Sequence, residues 1–239
     1  MKAFLLSTDP GTRLHPLADQ TPKFLQPACG KSPLHQWLEN LEKHGINEVL
    51  VNTRLPHEKI DVSQRHWTGG RTKISIFHEP GHLGNAGVIL ANKNWAAGPN
   101  PFLILNGDKV SNANLGKMIS FHCRHGYPLT LGVVRTKAPG GGGIEAGEDG
   151  IITALAAKPG RPRSDLAAAG VYIADHRIFD FFPEQKPLEF GPLDLGLHVI
   201  PNMVGNAKIY FIQDFSLDAG TSSAYEAAHA LWKERSNDP

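Results

Sequence analysis

Cysteine is scarce in this 239-residue chain, in which Cys29 and Cys123 are the only two. At most one disulfide can form, which excludes a disulfide-built secreted scaffold and is typical of a protein from a reducing compartment with free thiols. Net charge is nearly absent as well, because 24 Lys and Arg residues are matched by 23 Asp and Glu residues. A formal charge of +1 gives no general attraction for a polyphosphate backbone, so we expect no nucleic-acid partner.

A long apolar run is missing from the N-terminal segment. The run from Ala3 to Leu6 ends at a polar turn and is too short for a signal sequence or a membrane span. We therefore expect a cytoplasmic protein with no membrane partner. Internal repeats and linkers are also missing, so we expect a single domain over residues 1–239, a length that such domains commonly reach. The sequence allows a homo-oligomer but does not indicate one.

Strand patterns and helix patterns alternate along the first half of the chain. Apolar runs predict strands at 3–6, 48–52, 73–78, 102–105 and 129–135, and helical periodicity between them predicts helices at 33–44, 85–95 and 115–125. Strand, helix and strand at this spacing form a βαβ unit, whose two strands are normally parallel. This alternation predicts a parallel sheet flanked by helices.

The second half of the chain has a different pattern. Residues 144–173 carry short strands and turns, with Glu148-Asp149-Gly150 as a hairpin turn. Helical segments at 177–182, 195–204 and 225–232 and a strand at 208–212 follow. The fold class predicted is therefore α/β, with a Rossmann-like, mostly parallel sheet flanked by helices and a smaller β-rich lobe.

A loop rich in glycine and basic residues follows the first strand. It contains Gly11-Thr12-Arg13-Leu14-His15-Pro16-Leu17, and Pro22-Lys23 comes soon after. The backbone N–H groups of such a loop can bind phosphate oxygens, while Arg13 supplies a planar guanidinium and Lys23 a compact charge. These residues alone leave open a plain surface loop with two solvated cations.

Two aspartates stand at the ends of apolar runs. Asp108 follows the strand at 102–105, and Asp218 follows Phe215-Ser216-Leu217. Ligands of an open parallel sheet bind beyond the carboxyl ends of its strands, and Mg²⁺ is commonly held by one or two carboxylates together with substrate phosphates. Each aspartate alone could equally be a helix N-cap or a turn residue.

Taken in order, these segments resemble the sugar-1-phosphate nucleotidyltransferase family. The order is Gly-Thr-Arg-Leu-x-Pro-Leu, Pro-Lys, Gly-Lys-x-Pro-Leu, Gly-Asp at a strand end and a late Asp-x-Gly-Thr, and it extends over residues 2–232. Further matching segments are Gly84 in its Leu-Gly-Asn-Ala-Gly context, Lys158-Pro159 and Ala169-Gly170-Val171-Tyr172. The resemblance implies a fold of the nucleotide-diphospho-sugar transferase type, in which the β-rich lobe binds the sugar.

The resemblance also implies an enzyme of nucleotide-sugar biosynthesis. In this family an oxygen of a sugar 1-phosphate attacks the α-phosphorus of a nucleoside triphosphate, with Mg²⁺ as cofactor, and pyrophosphate leaves. The two substrates are thus the expected partners. Overall similarity to short guanylyltransferases favours GTP over dTTP, UTP and CTP, with a hexose or heptose 1-phosphate as acceptor.

The resemblance implies a role for each matching residue. The expected catalytic residues, which handle phosphate charge, are Arg13, Lys23, Asp108 and Lys158. The expected nucleotide-binding residues are Gly11, Thr12, Gly84 and Gly107. The expected sugar-binding residues are Gly143, Lys158 and Gly170. The expected metal ligands are Asp108 and Asp218.

Five residues depart from the family pattern, including Asn85 in place of a threonine and Phe24 in place of a proline. Asp9 stands where glycine is usual, and a carboxylate about 4 Å from a phosphate charge would repel it by about 1 to 4 kcal/mol, depending on the dielectric. Ala157 and Ala168 replace a glutamate and an asparagine that hydrogen-bond sugar hydroxyls. Because the charged positions match, an altered sugar choice is the favoured interpretation. The alternative is a catalytically impaired nucleotide-sugar-binding or regulatory homologue.

Overall fold

The computed structural model describes residues 1–7, 23–25, 32–54, 70–111, 113–136, 143–155, 164–184, 191–213 and 216–218; at Lys23, Val110 and 216–218 the description covers the backbone. Its strands are β1 (Lys2–Leu6), β2 (Glu48–Thr53), β3 (Lys73–His78), β4 (Phe102–Asn106), β5 (Lys109–Ser111), β6 (Leu129–Arg135), β7 (Ile144–Ala146), β8 (Ile152–Leu155), β9 (Leu166–Ala174), β10 (Ala207–Phe211) and β11 (Ser216–Asp218). Its α-helices are α1 (Pro33–Lys43), α2 (Gly84–Ala91), α3 (Lys93–Ala96) and α4 (Leu115–Arg124).

Seven strands form one mixed sheet in the order β10-β6-β9-β4-β1-β2-β3. The pairs of β1 with β2 and β4, of β2 with β3 and of β6 with β10 are parallel, whereas β9 runs antiparallel to both β4 and β6. Because β9 runs against its neighbours, its first half lies at the edge where β4 ends. The mostly parallel α/β sheet predicted from the sequence is confirmed.

Alternate residues of each central strand enter two separate cores. Phe4 and Leu6 of β1 pack in the core that includes α2, whereas Ala3 and Leu5 pack in the core that includes α1 and α4. This two-residue period is the one expected for a strand covered on both faces. The sheet is therefore the middle of three layers.

Helix α1 carries recognisable signals at both ends. The Ser32 side chain caps its N-terminus by accepting a hydrogen bond from the His35 N–H, and Pro33 occupies the first turn. His44 is the C-cap residue, and Gly45 follows in the left-handed region with φ +74°. These signals place the helix within one residue of the predicted bounds.

Two predicted helices are interrupted. The helix expected at 85–95 is divided at Asn92, whose side-chain amide donates to the Val88 carbonyl and so competes with the regular backbone bonds. The helix expected at 195–204 is a π turn, Leu195–Val199, followed by a 3-10 helix, Ile200–Met203. Pro201 has no backbone N–H to continue an α-helix there. The segment near 177–182 is likewise a 3-10 helix, His176–Phe181.

Of the short strands predicted over 144–173, β7 and β8 form a small antiparallel hairpin that is separate from the main sheet, as a β-rich lobe requires. The prediction was wrong for β9, which is a nine-residue strand inside the main sheet because it pairs with both β4 and β6. The turn of the hairpin is closed by the Gly147 N–H donating to the Ile151 carbonyl and the Gly150 N–H donating to the Gly147 carbonyl. The hairpin reaches the main sheet through a bridge between Ile151 and Lys208 of β10. The helix predicted at 225–232 lies outside the described residues.

Helix α4 is joined to β6 by a buried polar contact. His122 is only 5% exposed, and its Nδ1 lies 2.8 Å from the Thr130 hydroxyl oxygen. The Nε2 of His125 lies 2.7 Å from the same oxygen. Burial, and secondarily the neighbouring His125, lower the pKa of His122 to about 4.

In the part of the chain described, no helix is long and apolar enough to cross a membrane.

Candidate functional site at the carboxyl edge of the sheet

Gly107 and Asp108 form a turn between β4 and β5, just beyond the end of β1. The Gly107 N–H donates to the Leu6 carbonyl at 2.7 Å. A Cβ atom on Gly107 would lie 3.0 Å from that same oxygen, so a larger residue would push the two segments apart. Glycine therefore lets the turn that carries Asp108 approach β1 closely, next to the point where the chain enters the 8–22 segment.

Strand β11 pairs with β5 and brings Asp218 to this turn. The pairing is antiparallel, with Asp218 directly opposite Lys109 and Ser216 opposite Ser111. Lys109 is the residue after Asp108, so the backbones of the two predicted metal ligands are neighbours across a two-stranded ribbon. Residues opposite one another in such a ribbon have Cα atoms about 4.5 to 5.5 Å apart.

Gly170 of β9 lies against the same turn. It has φ +75°, which glycine tolerates best, and a Cβ atom on it would lie 2.9 Å from the Lys109 Cγ and 3.1 Å from the Asn106 Cβ. The antiparallel pairing of β9 with β4 sets this contact. Gly170, Gly107, Asp108 and the backbone of Asp218 thus share one region of the molecule.

A chain of hydrogen bonds connects the ends of β1, β2 and β3. The Ser7 N–H donates to the Asn52 Oδ1 at 2.7 Å, and the Asn52 amide donates to the Glu79 carboxylate. The second carboxylate oxygen of Glu79 accepts from the Leu83 N–H at 3.1 Å. Asn52 is fully buried. These bonds fix the exit of β1, which leads to the predicted phosphate loop, relative to the segment before Gly84.

Gly84 begins α2 in close contact with the 191–195 segment. It has φ +74°, and a Cβ atom on it would overlap the Leu193 carbonyl oxygen and lie 2.8 Å from the Leu193 nitrogen. The next residue, Asn85, accepts from the Leu195 N–H at 2.7 Å and donates to the Asp194 carboxylate at 3.0 Å. The start of α2 is therefore held tightly by backbone and side-chain contacts.

Tyr172 lies near two carboxylates in this region. Burial raises the pKa of its hydroxyl above the ordinary value, and the negative charges of Asp194 and Asp108 raise the pKa further. A tyrosine hydroxyl is protonated at neutral pH in any case, and the raised pKa keeps this one protonated to a higher pH than usual.

The predicted site residues also include several outside the described part of the chain. Gly11, Thr12, Arg13 and Lys158 lie outside the described residues, as do Asp9 and Ala157. Lys23 begins a 3-10 helix, Lys23–Leu25, but its side chain is also outside the description. Gly143 directly precedes β7, where a Cβ atom would lie 2.9 Å from the Ser164 carbonyl oxygen. Ala168 lies in β9, two residues before Gly170.

The donor set at the turn is suited to a hard cation. Carboxylate oxygens are the protein ligands that Mg²⁺ prefers, and the ion usually completes its shell with water and substrate phosphates. Among the residues that the structure describes, no group of three or more His, Cys, Asp or Glu side chains could hold a metal ion by itself. A site with two aspartates would therefore depend on bound phosphates to complete it.

Two site residues were missed by the sequence interpretation although their positions carried a signal. Asn52 ends the apolar run of β2, and Glu79 directly follows β3. Both are polar residues at the carboxyl ends of parallel strands, which is the criterion that identified Asp108. The contact of Asn85 with Asp194 joins residues 109 positions apart, and no sequence pattern indicates it.

Curated relatives include enzymes that are named for guanylyl transfer. The chain is 28% identical over 226 residues to the mannose-1-phosphate guanylyltransferase catalytic subunit beta of Xenopus tropicalis, covering 92% of this chain and 61% of the relative. It is 30% identical over 236 residues to the Drosophila melanogaster protein of that name, covering 97% and 62%. The chain thus spans about three fifths of the length of these relatives.

Solved structures share the fold at low sequence identity. A putative glucose-1-phosphate thymidylyltransferase from Bacillus anthracis, crystallised with a sucrose, has a TM-score of 0.84 at 20% identity and covers 97% of this chain and 94% of its own. HddC from Yersinia pseudotuberculosis, complexed with GMP-PN, has a TM-score of 0.78 at 20% identity, with 97% and 99% covered. These likenesses confirm the nucleotidyltransferase type of fold.

The model of the nucleotidyl transferase family matches residues 2–235, nearly the whole chain. This match agrees with the order of motifs from the first strand to Asp218 and with the fold of the solved relatives. The chain belongs to the nucleotidyl transferase family.

Proposed function

We propose that this protein is an enzyme that transfers a nucleotidyl group from a nucleoside triphosphate to a sugar 1-phosphate and releases pyrophosphate. The observation that carries the proposal is the pairing of β5 with β11, which sets the backbone of Asp218 opposite Lys109 and beside Asp108. Two acids from distant parts of the chain thereby meet at the carboxyl edge of the sheet. The family match and the guanylyltransferase relatives support the same reaction.

The proposed reaction depends mainly on positioning and on the neutralisation of charge. Asp108 and Asp218 would hold Mg²⁺, which when bound supplies positive charge to the phosphates of the triphosphate. Arg13 would bind the departing pyrophosphate and Lys23 the phosphates near the reacting centre. Lys158 would bind the phosphate of the sugar 1-phosphate and hold its oxygen in line with the α-phosphorus.

The nucleotide would lie over the ends of β1 and β4 and the start of α2. Gly11 and Thr12 would bind the triphosphate, with Gly84 and Gly107 beneath the nucleotide. The bond from the Ser7 N–H to Asn52 supports this arrangement because it anchors the chain at the entrance to the phosphate loop. The Glu79 contact with the Leu83 N–H anchors the residue before Gly84 in the same network.

The sugar would bind between Gly170 and the β7–β8 lobe, where Gly143 lies. Gly170 packs directly against Lys109 and Asn106, so a sugar above it would be close to Asp108. Ala168 lies in β9 two residues before Gly170, and its side chain cannot form a hydrogen bond. We infer that this chain accepts a hexose or heptose 1-phosphate without a side-chain hydrogen bond to a sugar hydroxyl at this position.

GTP is the proposed donor. The first curated relatives are named guanylyltransferases, and one structural relative was solved with GMP-PN. Another structural relative, a UDP-glucose pyrophosphorylase complexed with UDP-glucose, has a TM-score of 0.81 at 18% identity, which leaves UTP as the main competitor. We also propose that residues 1–239 form one domain, which the match over 2–235 supports, and that the protein is cytoplasmic.

Pyrophosphate release tests the reaction directly. GTP, dTTP, UTP and CTP would each be combined with mannose 1-phosphate, glucose 1-phosphate and a heptose 1-phosphate in the presence of Mg²⁺. We expect turnover with GTP and at least one of the sugars. Absence of turnover with every pair, together with calorimetric binding of a nucleotide sugar, would instead support a homologue that binds the nucleotide sugar without catalysis.

Removal of one carboxylate tests the metal site. We expect Asp108→Asn to reduce kcat by at least a hundredfold without unfolding the protein, because the amide keeps the shape of the side chain but loses its charge. Asp180→Asn is a matched control that removes an exposed carboxylate elsewhere. Equal kcat values for Asp108→Asn, the control and the wild type would exclude Asp108 from the metal site.

A further inference from the structure

Trp37 of α1 makes a specific hydrogen bond to the strand that follows Asp108. Its side chain is only 1% exposed, and its indole N–H donates to the Lys109 carbonyl oxygen at 2.8 Å. A buried tryptophan usually satisfies its single donor in this way, and loss of the partner leaves a desolvated polar group. The sequence indicates only that Trp37 is part of an apolar helix face, so this contact goes beyond packing.

A second bond attaches the same helix to the far end of this segment. The Asn40 amide, about one turn further along α1, donates to the Ala113 carbonyl at 3.2 Å. Within the segment, the Ala113 N–H donates to the buried Ser111 hydroxyl oxygen. The β5 region is therefore fastened to α1 at both ends, and Trp37 holds the end beside Asp108.

We propose that Trp37 is a positioning residue for the metal-binding carboxylates, acting through its indole N–H. This inference rests on the proposed function, since it assumes that Asp108 and Asp218 hold the metal. The peptide between Asn106 and Gly107 is fixed by the bond from the Gly107 N–H to Leu6, and the Lys109 carbonyl is fixed by Trp37. Asp108 lies between these two anchors.

The same anchor acts on the second acid. Lys109 is the residue opposite Asp218 in the β5–β11 ribbon. A shift of the Lys109 peptide therefore moves the strand with which Asp218 pairs. Groups outside the ligand shell that orient the ligands commonly change metal affinity by about 10- to 100-fold when they are removed. Trp37 fits this description for both carboxylates.

Helix α1 also links the turn that carries Asp108 to the segment that contains Lys23. Phe24 is buried in the same core cluster as Trp37, and the Lys23–Leu25 turn packs on α1. The helix thus touches the segments that carry the proposed phosphate-binding lysine and the proposed metal ligands. Trp37 sets the position of the proposed metal ligands relative to the segment that carries Lys23.

The test compares two tryptophan variants that make the same chemical change. Trp37→Phe removes the indole N–H beside Lys109, whereas Trp95→Phe removes an indole on the opposite face of the sheet, where Trp95 packs against Phe4. Mn²⁺ is the probe, and its binding to the whole protein is measured by electron paramagnetic resonance with a GTP analogue that cannot be cleaved between the α- and β-phosphates. Asp108→Asn is measured alongside.

We expect the Kd for Mn²⁺ to rise about tenfold in Trp37→Phe and to remain unchanged in Trp95→Phe. In turnover assays kcat should fall and the Mg²⁺ concentration for half-activation should rise in Trp37→Phe, with KM for the triphosphate little altered. Replacing Trp37 with 3-benzothienylalanine, which keeps the bicyclic ring but lacks the N–H, gives a variant of nearly native volume. It must show the same loss of affinity.

The outcomes separate this inference from the proposed function. If the wild type binds Mn²⁺, Asp108→Asn does not, and both Trp37 variants bind like the wild type, the role of Trp37 is overturned and the proposed function stands. If the wild type and Asp108→Asn bind Mn²⁺ equally, the metal site itself is overturned and the role of Trp37 falls with it. If both Trp37 variants bind Mn²⁺ more weakly than the wild type and Trp95→Phe does not, the inference is supported.

Discussion

Replacing Gly84 with alanine should damage the protein far more than the same change at Gly45. Both glycines have φ +74°, so alanine meets the same backbone strain at each position. A Cβ on Gly45 would meet nothing within 4 Å, whereas a Cβ on Gly84 would overlap the Leu193 carbonyl oxygen. The pair of variants therefore separates the cost of conformation from the cost of collision.

The expected free energies follow from these contacts. The left-handed conformation costs an L-residue about 1 to 2 kcal/mol, which is the whole effect expected for Gly45→Ala. Gly84→Ala adds an overpacking cost of about 1 to 3 kcal/mol. It also strains two backbone bonds, from the Leu193 N–H to Leu83 and from the Ala86 N–H to Leu193. We expect Gly84→Ala to be less stable than Gly45→Ala by at least about 2 kcal/mol.

Equilibrium unfolding in urea measures this difference, with both variants and the wild type compared at equal m-values. Calorimetry with GTP supplies a second measurement, because Gly84 is proposed to lie beneath the nucleotide and Gly45 is remote from it. Gly84→Ala should lose GTP affinity, and Gly45→Ala should retain it. Equal unfolding free energies for the two variants would show that α2 can move away from Leu193 without cost, which would refute the reasoning.

Two further predictions concern buried polar groups. Because burial lowers the pKa of His122 to about 4 while the unfolded chain protonates below about 6.5, its contribution is present above pH 6.5 and is lost as the pH falls towards 4. The loss reaches about 3 kcal/mol at most, and His122→Gln should flatten the dependence of unfolding free energy on pH between pH 6.5 and 4. Exposed His176→Gln is the control. An unchanged slope in His122→Gln would contradict the lowered pKa of His122. Asn52→Asp replaces the amide that donates to Glu79 with a buried carboxylate beside the partly exposed carboxylate of Glu79. We therefore expect it to raise KM for GTP about tenfold relative to exposed Asn100→Asp. An unaltered KM would show that the network does not position the phosphate loop.

Six strands of the main sheet could be predicted because each is a short segment rich in apolar residues. β3 and β6 have the predicted bounds, and β1, β2, β4 and β10 differ by one or two residues at their ends. The place of β9 between β4 and β6 could not be predicted, since strand order depends on pairing across the whole chain. The division of the helix at Asn92 depends on one side-chain bond, which periodicity does not reveal.

Without the family resemblance, the candidate site was predictable only where a polar residue coincided with the end of a strand. Asp108 met that criterion. Asn52 met it as well, but its uncharged amide did not indicate a metal or phosphate site. β11 has three residues and its partner β5 has three, which is too short for a pattern to indicate the pairing. The partner of the Trp37 N–H depends on how α1 crosses β5. Burial of Trp37 follows from sequence periodicity, but the direction of its ring nitrogen does not.

The ribbon of β5 and β11 also bears on the order of events during synthesis. Its two strands are separated by about a hundred residues, so at about 5 to 20 residues per second a ribosome needs roughly 5 to 20 seconds to add the second strand after the first. Throughout that interval the hydrogen bonds between β5 and β11 cannot form. Completion of the ribbon consequently waits until residues 112–215 have been translated.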